Sequence, residues 1–416
     1  MQRRHFVRTA LGAGAALAAT GRLYAAPTGT PRFLLVFLRG GYDAASLLVP
    51  SSSAFYREVR PNIAIPQAGP GVVGATVLTP DWALHPALQG SVLPLVLARQ
   101  ACFVPFAGTD DLTRSHFETQ DSIELGQAVN GAPSGSRDFS SGFLNRLAGV
   151  LQGRDHERES IAFTDQLPLA MRGSADVANL SLKNAPRPAD DRLRSAISGM
   201  YRGQALQGSV DEAYQVRDEA AHEVAPEMAA PGTTPMAGEM VAANRNAINA
   251  KGFEAEARRM ARMMRERYVL GFVDVGGWDT HVGQGAATGY LASRLEELGR
   301  GLAAYADELG EPAWRNTVVV VLSEFGRTMR ENGNRGTDHG HGSVHWVLGG
   351  GLASGAPVRG EQQRIEAATL FQNRDWPVLN EYRAMLGGVL ARQFALNPAQ
   401  LQRVFPGVRV SELGLV

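Results

Sequence analysis

Phe33-Leu34-Leu35-Val36-Phe37-Leu38 is an unbroken apolar run, and it ends abruptly at Arg39-Gly40-Gly41-Tyr42-Asp43. Six consecutive apolar residues, rich in branched and aromatic side chains, have the pattern of a strand buried on both faces. The glycines permit a tight turn and leave Asp43 just beyond the strand's carboxyl end. The layout recurs. Cys102–Phe106 runs into Ala107-Gly108-Thr109-Asp110, Val269–Val275 into Gly276-Gly277-Trp278-Asp279, and Thr317–Leu322 into Ser323-Glu324-Phe325-Gly326-Arg327. Val344–Leu348 then runs into three glycines. Between two of these runs, Leu291, Leu295, Leu298, Leu302 and Tyr305 form the apolar stripe of an amphipathic helix. Strand, helix and strand in that order make a parallel crossover. Repeated, they predict an α/β protein with a doubly wound, mostly parallel sheet and helices on both faces. Ligands in such sheets bind beyond the carboxyl ends of the strands, where four of these runs deliver polar or acidic residues.

The 416 residues carry 41 basic and 41 acidic side chains, so charge gives no reason to expect nucleic acid or a membrane surface as partner. Cys102 is the only cysteine, which excludes an intramolecular disulfide and cysteine-rich zinc sites. Any metal must then be held by His, Asp, Glu or hydroxyl groups. Cys102 itself reads as a buried strand residue. At the N-terminus, Arg3-Arg4-His5-Phe6-Val7 followed by a weakly apolar run from Ala10 to Ala19 resembles a twin-arginine export signal, too short to span a bilayer. Residues 1–26 are therefore set apart from the folded domain at 27–416. The expected location is periplasmic or secreted, with the twin-arginine export machinery as partner and no stable membrane insertion. From about 126 to 245 the chain is rich in Ala, Gly, Ser and Pro, with Pro226, Pro231 and Pro235 marking a loop. That region is expected to be an inserted cap or side lobe with short helices at Asp190–Gln204 and Val210–Val224. Glu254–Arg267 is a charged helix leading back into the sheet.

The densest chemical cluster is Thr337-Asp338-His339-Gly340-His341-Gly342, ahead of the last strand. Two histidines two residues apart, with an aspartate and flexible glycines, can converge on one cation. His345, inside the strand, reads as a packed ring. Asp279 and His281 supply a second oxygen and nitrogen pair. Asp43 and Glu324 each follow a buried strand, where a lone carboxylate usually caps a helix. On one edge with the histidines, they favour a cation site, because clustered carboxylates repel unless neutralised. In Thr113-Arg114-Ser115-His116-Phe117-Glu118-Thr119-Gln120, Ser115 and Glu118 have capping-box spacing. The same serine is equally a hydroxyl at a helix N-terminus, able to attack phosphorus beside a metal.

These motifs together resemble the twin-arginine-exported bacterial family called domain of unknown function 1501, which is related to the alkaline phosphatase and sulfatase superfamily. They run from near residue 33 to about 350, and Asp375-Trp376-Pro377 with Asn380-Glu381-Tyr382-Arg383 resembles the family's C-terminal helix. The resemblance implies an alkaline phosphatase-like fold and one or two divalent cations, zinc, manganese or another, flanking a nucleophile. It implies Asp43, Asp279, His281, Glu324 and Asp338 with His339 or His341 as metal ligands, Ser115 as nucleophile, and Arg114 or Arg327 as the fork that holds an anionic oxygen. Phe325 stands where the superfamily has a histidine, a departure that counts against the second cation. The function implied is exported, metal-dependent hydrolysis of small-molecule or polymer phosphate or sulfate esters. The alternative is a non-catalytic exported scaffold on the same fold. No Cys-x-Pro-x-Arg pattern of a modified-cysteine sulfatase occurs.

Overall fold

The computed structural model describes residues 29–128, 137–154, 159–182, 198–204, 207–208, 210, 244–245 and 247–416. The export segment, the helix expected at Val210–Val224 beyond its first residue, and the prolines at 226, 231 and 235 lie outside the described residues, as does most of Asp190–Gln204.

A nine-stranded sheet runs through the molecule. Its strands in chain order are β1 (Arg32–Leu38), β2 (Ala101–Gly108), β3 (Glu159–Ala162), β4 (Ala178–Asn179), β5 (Ile248–Asn249), β6 (Tyr268–Gly276), β7 (Thr317–Ser323), β8 (Ser343–Leu348) and β9 (Asn380–Glu381). The spatial order is β9-β2-β8-β7-β1-β6-β3-β4, with β5 also on β6. β1 lies between β6 and β7 and parallel to both, with Phe33 opposite Leu270 and Val318. The exception is β8, which is antiparallel to both β7 and β2.

Side chains on a strand alternate between faces, and β1 divides the core accordingly. Leu34, Val36 and Leu38 join one cluster with α3 (Phe253–Glu266) and α4 (Tyr290–Leu309), the latter through Leu291, Leu295, Leu298, Leu302 and Tyr305. Phe33, Leu35 and Phe37 join the other, against α2 (Phe143–Gln152), α5 (Tyr382–Phe394) and α6 (Pro398–Val404). Helices therefore cover both faces, and the α/β, doubly wound, mostly parallel arrangement expected from the apolar runs is the one present. α1 (His116–Leu125) follows β2 and ends at Gly126, whose φ of 63° suits a left-handed cap. A small antiparallel sheet of Leu48–Pro50, Trp82–Leu84 and Thr76–Val77 stands beside the main one.

The region expected as a cap departs from expectation at its start. α2, β3 and β4 fall within 126–245, yet they belong to the sheet and its cover. The small residues of this region hid an amphipathic helix whose Phe143, Leu144, Leu147 and Leu151 are wholly buried. They also hid a strand only four residues long. No helix among the described residues is long and apolar enough to cross a membrane.

Candidate metal centre

The loops after β1, β6 and β7 and the loop before β8 meet at one edge of the sheet. Arg327 ties them together. Its guanidinium donates to the carbonyl oxygens of Gly40, Gly41, Trp278 and Thr337 (3.0 Å for Thr337) and to Asp279 Oδ1. Next to it the post-β7 and pre-β8 loops form a bridge, with Gly326 N donating to His341 O (2.9 Å) and Gly340 N to Gly326 O (2.8 Å). A Cβ on Gly326 would stand 1.9 Å from Gly342 O, so this crossing requires glycine.

Three imidazoles surround Asp279. His281 Nε2 is 3.0 Å and His339 Nε2 3.3 Å from Oδ1, while His116 Nε2 is 3.6 Å from Oδ2. His281 and His339 face each other through their Nε2 atoms at 3.1 Å. Ligand atoms of His116, Asp279 and His339 all lie within 4.8 Å of one another. Each ring is held from behind by its Nδ1. His116 is bonded to Glu324 Oε1 at 2.8 Å, His281 to Asp338 Oδ1 at 3.1 Å and His339 to Arg114 O at 3.0 Å. A carbonyl only accepts, so His339 carries its proton on Nδ1. In the neutral ring Nε2 then carries a lone pair, and it faces His281 Nε2 at 3.1 Å and Asp279 Oδ1 at 3.3 Å. His116 Nε2 is buried with no hydrogen-bond partner. Metal-binding histidines are oriented in this way, with the outer nitrogen held by a carboxylate or carbonyl.

The electrostatics agree. Burial opposes ionisation of Asp279, but the three imidazoles beside it and the Arg327 charge hold its carboxyl well below the usual range. Burial also works against a charged His116, yet Asp279 and Glu324 outweigh it and raise the ring to about 9. Burial, with Arg327 and His116 nearby, lowers His339 and keeps it neutral enough to ligate. His281 is 36% and His339 26% exposed, so the centre opens to solvent on their side while His116 and Asp279 line its floor.

Of the residues expected from sequence, Asp279, His281 and His339 meet here. Asp338 and Glu324 stand one shell out, behind His281 and His116. Glu324 Oε1 also accepts from Gly40 N (2.8 Å) and Gln120 (2.9 Å), so the oxygen that meets His116 is fully engaged. Asp43, expected as a ligand, is bonded instead to Arg60, Ser46 and Gln284. His341 turns its ring onto Phe371, and burial with the nearby Arg114 lowers it to about 4. The Arg114 guanidinium is held by Asp375 (2.8 and 2.5 Å), and that of Arg327 is spent on the loop clamp, so neither is left as an anion fork. Ser115 caps α1 with no side-chain cap bond, and Glu118 pairs with Arg137 instead of closing a capping box. Ser115 lies half-buried between Arg114, whose carbonyl holds His339, and His116. His345 is a buried packed ring, lowered to about 3 by burial alone.

His116 is the site residue that the sequence pattern does not single out; its signal is its place at the first helical position, one residue past the cap. Arg60, Gln120 and Gln284 carried no comparable signal.

The fold and site define an α/β protein with a histidine–carboxylate centre at the carboxyl edge of its sheet, fit to hold a metal ion. The chain belongs to the family described as "Protein of unknown function (DUF1501)", whose model matches residues 30–405. No curated protein matches the sequence. Among solved structures, it is similar to Ps i-CgsB in complex with k-i-k-neocarrahexaose (9% identity, 92% of this chain and 75% of that chain, TM-score 0.39). It is also similar to a protein in the alkaline phosphatase superfamily from Vibrio parahaemolyticus (12% identity, 77% and 60%, TM-score 0.34). A third is PsFucS1 sulfatase from Pseudoalteromonas sp. (11% identity, 86% and 68%, TM-score 0.34).

Proposed function

We propose that the protein is an exported, metal-dependent hydrolase of phosphate or sulfate esters. The observation that carries the reading is the convergence of three back-anchored imidazoles on one buried carboxylate. His116, Asp279 and His339 would hold the ion, with His281 beside them. Three protein ligands with one open side are the pattern of catalytic rather than structural sites. Imidazole and carboxylate donors suit zinc, manganese or iron. A divalent cation there supplies Lewis acidity toward an ester oxygen and offsets charge on a transferring group.

The chain's own residues supply the rest. Ser115 is the proposed nucleophile: its hydroxyl is not spent on capping, and it adjoins the centre through both chain neighbours. The first-turn amides of α1 point toward the same end and favour an anionic group there. Asp338 and Glu324 fix the ring orientations, and Arg327 fixes the loops. The Arg3-Arg4 segment supports export.

The test is turnover of aryl phosphate, phosphodiester and aryl sulfate by metal-loaded protein, with Ser115→Ala alongside. Loss of turnover with metal retained is expected; unchanged turnover removes Ser115 as nucleophile. A second reading, a metal-holding but non-catalytic scaffold, is favoured by one observation: Arg327 already pairs with Asp279, and Arg60 with Asp43. Full metal content with no turnover of any of the three ester classes would select it.

A further inference from the structure

We infer that the centre is built for one cation, and that the Arg60 guanidinium supplies beside Asp43 the positive charge a second cation would bring. This rests on the metal-dependent reading above and narrows it.

Asp43 leaves the end of β1 as a ligand to the metal centre would. Both of its oxygens are nonetheless taken. Arg60 grips them in a fork, NH1 on Oδ2 at 2.5 Å and NH2 on Oδ1 at 2.9 Å. Oδ2 accepts further from Ser46 Oγ (2.7 Å) and Gln284 Nε2 (2.7 Å). Arg60 is as fully committed. Its Nε donates to Met329 O (2.8 Å), and the remaining protons go to Thr328 O (3.0 Å) and Ser46 Oγ (3.4 Å). All five donors of the guanidinium are placed, and neither partner is exposed beyond 1%. A forked guanidinium–carboxylate pair of this kind is both geometrically specific and strong. Four donors thus engage the carboxylate, three on Oδ2 and one on Oδ1, and the charge that faces it is the guanidinium.

The pair is also joined to the metal centre. Gln284, which donates to Asp43, accepts from Thr280 Oγ1 (3.1 Å) and Thr337 Oγ1 (3.0 Å). Thr280 separates Asp279 from His281, and Thr337 precedes Asp338. Through Asp43 and Gln284, Arg60 therefore braces the loops that carry the ligands while neutralising the Asp43 carboxylate. Where a second cation's histidine is expected, Phe325 packs its ring 4.9 Å from both His116 and His339. On the second-cation side this sequence offers a guanidinium and a phenyl ring, neither of which binds a metal.

The experiment is metal counting on the full chain by native mass spectrometry and elemental analysis after loading with zinc or manganese. The wild type should hold one equivalent. The double variant Asp43→Asn, Arg60→Met, which removes both buried charges at once, should also hold one, and His116→Ala with His339→Ala should hold none. Two equivalents in the wild type would overturn the inference while leaving the metal-dependent reading standing. A wild type holding none would sink both. Should the double variant fail to fold, the wild-type count decides alone.

Discussion

Glu324 offers the most direct test of how the centre is assembled, because its carboxylate touches the metal-binding set only through His116. Replacing it with glutamine keeps the shape. Glutamine's single carbonyl oxygen can accept from His116 Nδ1, Gln120 and Gly40 N as Oε1 does, and its amide can donate to Ser323 Oγ, which already donates to Leu38 O at 2.6 Å. Only the charge is lost. Alanine removes the acceptor as well, taking the partner from His116 Nδ1 and Gly40 N at about 1–3 kcal/mol each and leaving His116 free to turn. Loss of an outer-shell partner typically lowers metal affinity about 10- to 100-fold. Glutamine is expected near the lower figure and alanine at or beyond the higher. A tenfold change is about 1.4 kcal/mol, well within the range of a competition titration against a chromophoric chelator. The titration should be run at fixed pH and well below each variant's melting temperature, since alanine also destabilises the fold. Wild-type zinc affinity in a folded Glu324→Ala protein would refute the reasoning, because His116 would then owe nothing to its carboxylate.

Three further outcomes follow from the same geometry. Burial opposes ionisation of Asp43, but the Arg60 charge and the hydrogen bonds from Arg60, Ser46 and Gln284 lower its pKa. Its contribution to stability is therefore complete above the unfolded value near 3.9 and is lost as pH falls through the lower folded value; in urea melts across that acid range, Asp43→Asn with Arg60→Met should show a shallower fall than wild type. Arg60→Met alone leaves a buried carboxylate unpaired and should cost about 3–5 kcal/mol, most of it regained in the double variant, as chemical denaturation will show. Gly326→Ala would push a Cβ against Gly342 O and part the two loops that carry Glu324 and His339, so zinc equivalents per chain should fall even where circular dichroism still reports a folded sheet.

The sheet was legible because strands buried on both faces leave continuous apolar runs, and β1, β2, β6 and β7 all did so. β3 was not, because a four-residue strand with small residues falls below what periodicity can register. The site was legible in part for a related reason. A histidine beside glycines and an aspartate stands out in a sequence, so the loops carrying Asp279, His281 and His339 could be picked out. Asp43 looked the same as they did, and nothing local distinguishes a carboxylate that meets a metal from one that meets an arginine 17 residues on. His116 is the opposite case: the adjacent Ser115 hydroxyl is the stronger chemical signal in the sequence, although the His116 ring is what reaches the centre.

The placement of His339 depends on a feature that apolar runs cannot encode. In a wholly parallel sheet, residues that precede a strand lie at the amino edge, opposite the edge where Asp43, Asp279 and Glu324 emerge. β8 is six residues long, so at about 3.3 Å per residue its two ends stand roughly 20 Å apart. Run parallel to its neighbours, it would carry His339 that far from Asp279. Because β8 runs antiparallel to β7, its amino end lies at the carboxyl edge of the other strands, and the glycine-rich loop before it folds back over Gly326. The reversal of one strand thus decides whether these histidines form a centre at all. It also explains why this loop is glycine-rich before its strand: it must cross another backbone where a side chain would collide.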